Sequence, residues 1–223
     1  MVANISGVLF VFVTNMSFAN MFPVVTTFSA EMPLFLREHW NGLYPHRCLL
    51  PHAQPGRTTS LYHQPLRFVC ITYYMIGLRP EPEHFFLTSL IIILVANTAV
   101  SYGYMISCIA KNYQTALVLS HASHLPAAAL RRFYMKPGTI PPYLDWLSYL
   151  SWFKYSFEAL TINQWIDWGN ETIFLYPNGT TLEVDIGHAV MEKLGFDVSN
   201  LWVDVGAMFA LLVATELWPF FSS

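Results

Sequence analysis

The sequence predicts an all-α membrane protein that crosses the bilayer several times. Residues 1–30 contain no Asp, Glu, Lys or Arg, and about 20 apolar residues are enough to cross a hydrocarbon core of ~30 Å. Residues 85–110 form a second uncharged apolar run. Over the whole chain 11% of residues are charged and 54% are hydrophobic, whereas soluble domains carry about 25% charged residues.

Charge and hydropathy divide the chain into eight segments, of which about five are expected to be spans, two of them interrupted. The order is a span at 1–29, a charged segment at 31–44, a partial span at 68–78, a span at 85–110, an interrupted span at 115–132, an amphipathic or re-entrant helix at 139–168, a polar loop at 169–200 and a last span at 201–220.

The segment at 139–168 is the aromatic part of the chain. Tyr143, Trp146, Phe153 and Phe157 recur at helical spacing, and charged residues such as Glu158 fall elsewhere on the helical wheel. This pattern predicts an amphipathic helix that lies partly in the membrane interface.

The polar loop at 169–200 is acidic and carries two glycosylation sequons, at Asn170 and Asn178. Two sequons in one loop favour the luminal or extracellular side. Arg131, Arg132 and Lys136 fall on the same side in this topology, which conflicts with the usual excess of positive charge in the cytoplasm.

Several function classes are disfavoured by composition. The net charge is −3, and the sequence lacks the stripe of basic residues that is typical of nucleic-acid-binding proteins. The His-x-x-His pair at His121 and His124 lacks completing ligands, so no metal site is predicted. The chain contains no G-x-x-x-x-G-K-[ST] phosphate loop, and no catalytic residue is predicted. An intramembrane enzyme would need acidic residues or paired His within its spans, and we expect none in the uninterrupted spans.

Six groups of residues carry a resemblance to a known family, in the family's order. They are Phe12–Phe18, Glu31–His39 with Asn41–Tyr44, Ile71–Leu78, Leu94–Asn97 with Ser101–Cys108, Pro142–Tyr155 and Glu158–Trp165. Together they resemble the transmembrane domain of the G subfamily of ABC transporters, in the white, scarlet and brown eye-pigment branch.

The resemblance implies an ABC-2 type membrane domain of a half-transporter. Such a protein pairs with a second half-transporter, as a homodimer or heterodimer. It moves small hydrophobic or aromatic molecules, pigment precursors among them, across a plasma membrane or a pigment-granule-like membrane. ATP and Mg²⁺ would act through a nucleotide-binding domain absent from this chain. The chain starts inside an apolar segment, so we expect it to be part of a longer protein.

The resemblance also implies roles for individual residues, each with a simpler alternative. Asn15 and Phe18 would line the substrate cavity. Phe133 and Tyr134 would form a plug at its outer end. Glu31, Arg37 and Glu38 would couple the membrane domain to the ATP-binding domain. The alternatives are that Phe18 is ordinary packing or lipid-facing surface, and that the charged segment is a solvated membrane-flanking helix.

The resemblance breaks at Arg47–Arg67, Ser120–Arg132 and Ala214–Ser223, where the chain switches abruptly to His, Pro, Arg and Ser. A central Arg in a membrane helix costs at least ~2.5 kcal/mol. We therefore hypothesise that these segments are out-of-frame translation. The corresponding functional alternative is a truncated or frame-damaged membrane fragment that does not transport. The nucleotide sequence in the other two frames tests this hypothesis.

Overall fold

The computed structural model describes residues 2–41, 55–79, 81–110, 112–129, 151–166, 171–175, 180–184 and 186–221. Within these ranges the elements are α1 (Val2–Trp40), α2 (Pro55–Ile76), α3 (Pro82–Ile109), α4 (Tyr113–Ala129), α5 (Trp152–Trp165), β1 (Glu171–Leu175), β2 (Thr180–Val184), α6 (Ile186–Leu194), a 3₁₀ turn at Val198–Asn200 and α7 (Leu201–Phe221). The predicted helical membrane fold is confirmed, with one small β-hairpin added.

Three described helices are long and apolar enough to cross a bilayer. They comprise Ile5–Ser29 within α1, Pro82–Ile109, which is α3, and Val198–Leu217, which includes most of α7. These correspond to the predicted spans at 1–29, 85–110 and 201–220. Helix α1 contacts α3, α4 and α5, and α3 also contacts α2, α5 and α7. Helix α3 is therefore the central element of the bundle.

The crossing of α1 and α3 depends on small side chains. Ala99, Gly103 and Ser107 are buried and lie four residues apart on α3. A Cβ atom placed on Gly103 would lie 3.2 Å from the Met21 carbonyl oxygen and 3.3 Å from Val24 Cγ1. Close backbone approach at small residues is a common way to pack helices in lipid, where tails are as apolar as the side chains themselves.

Helix α5 is buried on all sides and contacts α1, α3, α6 and α7. Its apolar Phe153 and Phe157 are buried, and so are its polar Glu158, Asn163 and Gln164. The predicted amphipathic or re-entrant segment at 139–168 is helical at residues 152–165, with both apolar and polar side chains buried, and its placement relative to the membrane stays a prediction. A helical wheel assigns polar residues to solvent, but here they face neighbouring helices.

Helix α2 covers residues 55–67 of the segment interpreted as out of frame, and residues 47–54 lie outside the described part. It includes Arg57, His63, Pro65 and Arg67. The side chains of His63 and Arg67 are exposed, and Arg67 Nε donates to the His63 carbonyl at 3.2 Å. The out-of-frame hypothesis concerns the origin of these side chains and stays a prediction.

The predicted loop at 169–200 contains regular structure in its described parts. Strands β1 and β2 pair antiparallel, with Ile173 opposite Leu182. Helix α6 then buries Val190 and Met191. The ring of Phe196 contacts Phe157 of α5 edge to face, with centroids 6.0 Å apart. These apolar contacts attach the segment to the bundle.

Candidate substrate-binding surface

One face of α1 is only partly covered by the described residues, and we call it the open face. Val11, Asn15, Phe18 and Phe22 are spaced by three or four residues and therefore share one side of the helix. Val11 is 58% exposed, Asn15 is exposed, and Phe18 and Phe22 are half-buried. The opposite side carries core residues such as Val13, which is fully buried.

Three rings form a column on this face. The Phe18 and Phe22 rings stack with centroids 5.2 Å apart and an interplanar angle of 16°. The imidazole of His121, on α4, lies 4.4 Å from the Phe22 ring and is tilted by 31°. We call Asn15, Phe18, Phe22 and His121 the ring surface. Stacked aromatic groups favour further flat aromatic partners, and Asn15 and His121 add hydrogen-bonding groups.

A buried polar network joins α3 to α5. The Asn163 amide nitrogen donates to the His84 carbonyl at 3.0 Å and to the Thr88 hydroxyl at 2.9 Å. The Asn163 oxygen accepts from His84 Nδ1 at 2.9 Å. His84 Nε2 lies 3.2 Å from a Glu81 carboxylate oxygen. Buried polar groups are costly unless they are paired, so this network fixes α5 against the start of α3.

Helices α5 and α7, which contact each other, each bury one carboxylate side chain. Asp204 is 4% exposed and Glu158 is 6% exposed. Within the described part of the chain, Asp204 Oδ2 has no hydrogen-bond partner. The expectation that the uninterrupted spans contain no acidic residue is wrong, since Asp204 lies inside the span Val198–Leu217.

The comparisons with known proteins identify the family. A family model described as ABC-2 type transporter matches residues 1–165. Protein white of Drosophila melanogaster is 38% identical over 217 residues, covering 96% of this chain and 31% of the relative. Protein white of Ceratitis capitata is 37% identical over 220 residues, covering 97% of this chain and 32% of the relative. The ABC transporter ATP-binding protein/permease wht-1 of Caenorhabditis elegans is 30% identical over 225 residues, covering 97% and 33%. The chain belongs to the ABC-2 type transporter family.

Membership confirms the resemblance to white-like members of the G subfamily and an integral membrane location. The chain spans about a third of the length of the curated relatives it matches. The ABC-2 match covers a membrane component of a transporter.

The predicted cavity residues Asn15 and Phe18 lie on the open face of α1, one turn apart. Asn15 is exposed, whereas Asn20 is buried and donates to the Met16 carbonyl of its own helix at 2.8 Å. The two other members of the ring surface, Phe22 and His121, were not predicted. Phe22 could have been found from its position four residues after Phe18. His121 could not, because its place beside α1 depends on the packing of α4.

The predicted coupling segment is continuous with the first span. Helix α1 runs from Val2 to Trp40 and so includes Glu31, Arg37 and Glu38 in its backbone. Arg37 is exposed, and the side chains of Glu31 and Glu38 lie outside the described part. At 1.5 Å per residue, the ring of Phe18 and the backbone of Glu31 are separated by ~20 Å along one helix.

Four predicted site residues lie outside the described residues. These are the proposed plug residues Phe133 and Tyr134 and the sequon residues Asn170 and Asn178. In the sequence, Asn170 directly precedes β1, and Asn178 falls between β1 and β2.

Proposed function

We propose that this chain is the membrane-spanning part of an ATP-driven G-subfamily half-transporter. It moves small hydrophobic or aromatic molecules, with pigment precursors as the expected class, across a plasma membrane or an intracellular pigment-granule-like membrane. The observation that carries this proposal is the ring surface on the open face of α1, in a chain that belongs to the ABC-2 type transporter family.

The ring surface supports binding of flat molecules. The parallel rings of Phe18 and Phe22 offer a stacking surface, and such aromatic pairs contribute ~0.5–1.5 kcal/mol beyond their buried area. Asn15 supplies one exposed amide at the same face. A partner half-transporter, identical or different, would bring a second such surface, and the substrate would lie between the two.

The continuity of α1 supports the proposed coupling. ATP and Mg²⁺ act through a nucleotide-binding domain outside this chain, which contacts the segment around Glu31, Arg37 and Glu38. A displacement of this segment moves the ring surface as well, because both lie on one unbroken helix. Alternating access then follows as two such helices tilt relative to each other in the bilayer.

The proposal is tested in a fusion protein in which this chain replaces the matching third of Drosophila Protein white. ATP hydrolysis by the purified fusion is measured in proteoliposomes, with and without planar aromatic compounds. Phe18→Ala should raise the ligand concentration that gives half-maximal stimulation roughly 2- to 13-fold, as expected for a loss of ~0.5–1.5 kcal/mol of binding free energy. The control is Phe209→Ala, because Phe209 is an exposed aromatic residue of α7, outside the ring surface. Equal effects of the two changes would contradict the assignment of the ring surface.

A different result is expected for the coupling segment. Glu38→Ala should leave ligand binding near normal while ATP hydrolysis no longer responds to the ligand, since its proposed role is mechanical. If Glu38→Ala abolishes ligand binding and Phe18→Ala does not, the two roles have been assigned wrongly.

One observation favours the alternative of a frame-damaged fragment. His63 and Arg67 of α2 are exposed and would face lipid or a partner. Inserting an Arg at the bilayer centre costs ~2.5 kcal/mol or more. Under this alternative the fusion inserts into the membrane but shows no stimulated ATP hydrolysis. Restoring an apolar frame across residues 47–67 should then recover stimulation.

The orientation of the hairpin gives a further prediction. Asn170 and Asn178 should be glycosylated when the chain is made in a eukaryotic membrane, because the sequon segment is proposed to be luminal or extracellular. Endoglycosidase treatment should shift the gel mobility of the chain, and the double change to Gln should remove the shift. Labelling of this segment by a cytosolic reagent would reverse the proposed topology.

A further inference from the structure

We propose that His121 is a specificity-determining residue of the ring surface, and that it selects planar aromatic ligands that carry an N–H or O–H group. This inference rests on the proposed function, because it assigns a chemical class of ligand to the same surface. It applies to the 223-residue sequence with its own segment 120–132, without any change of reading frame.

The imidazole of His121 continues the stack that begins on α1. Its ring centroid lies 4.4 Å from that of Phe22, closer than the 5.2 Å between Phe22 and Phe18. Phe22 therefore has a ring neighbour on α1 and another on α4. In this proposal a flat ligand lies along the side of the column, where rings from two helices and the polar atoms of His121 are within its reach.

The hydrogen bonding of His121 defines what those atoms offer. Its Nδ1 lies 2.8 Å from the Leu117 carbonyl oxygen. A carbonyl only accepts, so Nδ1 carries the hydrogen and donates it. In the neutral ring, Nε2 then carries a lone pair and accepts. The side chain is exposed with respect to the described residues, so we place this acceptor on the open face.

The surroundings make this acceptor selective. Phe18 and Phe22 are apolar, and the other polar side chain of the ring surface, Asn15, lies seven residues before Phe22, or ~10 Å along α1. The Asn15 amide both donates and accepts, so it does not distinguish ligand polarity. The His121 acceptor does, because a ligand without a donor there displaces its water and leaves Nε2 unpaired.

A matched pair of probes tests the inference with the full 223-residue chain in lipid nanodiscs. Carbazole and dibenzofuran have the same flat three-ring shape, but carbazole has a ring N–H where dibenzofuran has an oxygen. Binding of each is followed by its intrinsic fluorescence. We expect the chain to bind carbazole roughly 2- to 13-fold more tightly than dibenzofuran, as one hydrogen bond predicts.

Two variants separate the polar role of His121 from its packing role. His121→Phe keeps a ring in the stack and should bring the carbazole-to-dibenzofuran ratio to about one while retaining dibenzofuran binding. His121→Gln keeps an acceptor and should retain part of the preference. Phe209→Ala, on α7, should change neither affinity nor ratio. A preference that persists in His121→Phe overturns the inference, and so does a wild-type ratio of one.

The outcomes also separate this inference from the proposed function. If both probes bind equally and Phe18→Ala weakens both, the ring surface binds ligands but His121 does not select them. If neither probe binds the wild-type chain, or if Phe18→Ala changes nothing, the ring surface itself is refuted, and this inference with it.

Discussion

The buried amide of Asn163 should be the most sensitive polar position of the bundle. Asn163 is 3% exposed and makes three hydrogen bonds to α3, two to His84 and one to Thr88. Asn163→Leu keeps the size of the side chain and removes all three. Its consequences therefore measure the polar network with little change in packing volume.

The magnitude follows from these contacts. Hydrogen bonds between helices in a membrane protein contribute ~0.6 kcal/mol on average and up to ~1.7 kcal/mol, so three account for ~2 kcal/mol. The His84 and Thr88 groups that remain are left unpaired in the interior, and each buried unsatisfied group costs ~1–3 kcal/mol when it does not find water. We expect Asn163→Leu to lower the free energy of unfolding by about 2–4 kcal/mol.

The assay is unfolding of the 223-residue chain in mixed micelles, followed by tryptophan fluorescence, since the neighbouring Trp165 is buried. The matched control is Asn97→Leu. Asn97 is half-buried, and its amide donates at 2.8 Å to the Ile93 carbonyl of its own helix. The control should lower the free energy of unfolding by less than ~0.5 kcal/mol, because no contact between helices is lost. If both variants lose the same free energy of unfolding relative to the wild-type chain, the assignment of Asn163 as a link between α3 and α5 is refuted.

Three other predictions follow from the packing and the proposed assembly. Gly103→Val should lower the free energy of unfolding by ~1–3 kcal/mol through overpacking against α1, whereas Gly206→Val, where a Cβ meets nothing within 4 Å, should have little effect; equal losses would refute a tight α1–α3 crossing. Asp204→Asn should leave the free energy of unfolding unchanged or raise it, because a buried carboxylate whose Oδ2 has no hydrogen-bond partner among the described residues becomes neutral; a clear loss of stability would contradict this reasoning. The fusion with Protein white should crosslink in membranes as a dimer with itself or with a sibling half-transporter, and a strictly monomeric fusion that transports would contradict the half-transporter proposal.

The spans could be predicted from the sequence because they depend on local composition. Residues 1–29 and 85–110 lack charges, and the structure places candidate spans at Ile5–Ser29 and Pro82–Ile109. The hairpin was missed although its signal is present. Asn178-Gly179 lies between two five-residue strands, and Asn-Gly is a strong hairpin-turn signal.

The polar contacts could not be predicted in the same way. His84 and Asn163 are 79 residues apart in the chain, and no periodicity within either helix reveals their pairing. The helical wheel of α5 separates Glu158 from the aromatic residues and reveals no role for Asn163, because it treats the helix alone. In the bundle those residues are buried against α7 and α3. Similarly, Phe18 was found from a local motif, whereas His121 joins the ring surface only through the packing of α4 on α1.

The central claim is that this chain forms the transport path of an ATP-driven half-transporter. The most direct test is ATP-dependent accumulation of carbazole in inside-out membrane vesicles that contain the fusion with Protein white. We expect accumulation that requires ATP and Mg²⁺ and that Phe18→Ala weakens, while Phe209→Ala leaves it unchanged. A fusion that inserts and hydrolyses ATP but accumulates no carbazole, or accumulates it equally with Phe18→Ala, would contradict the account.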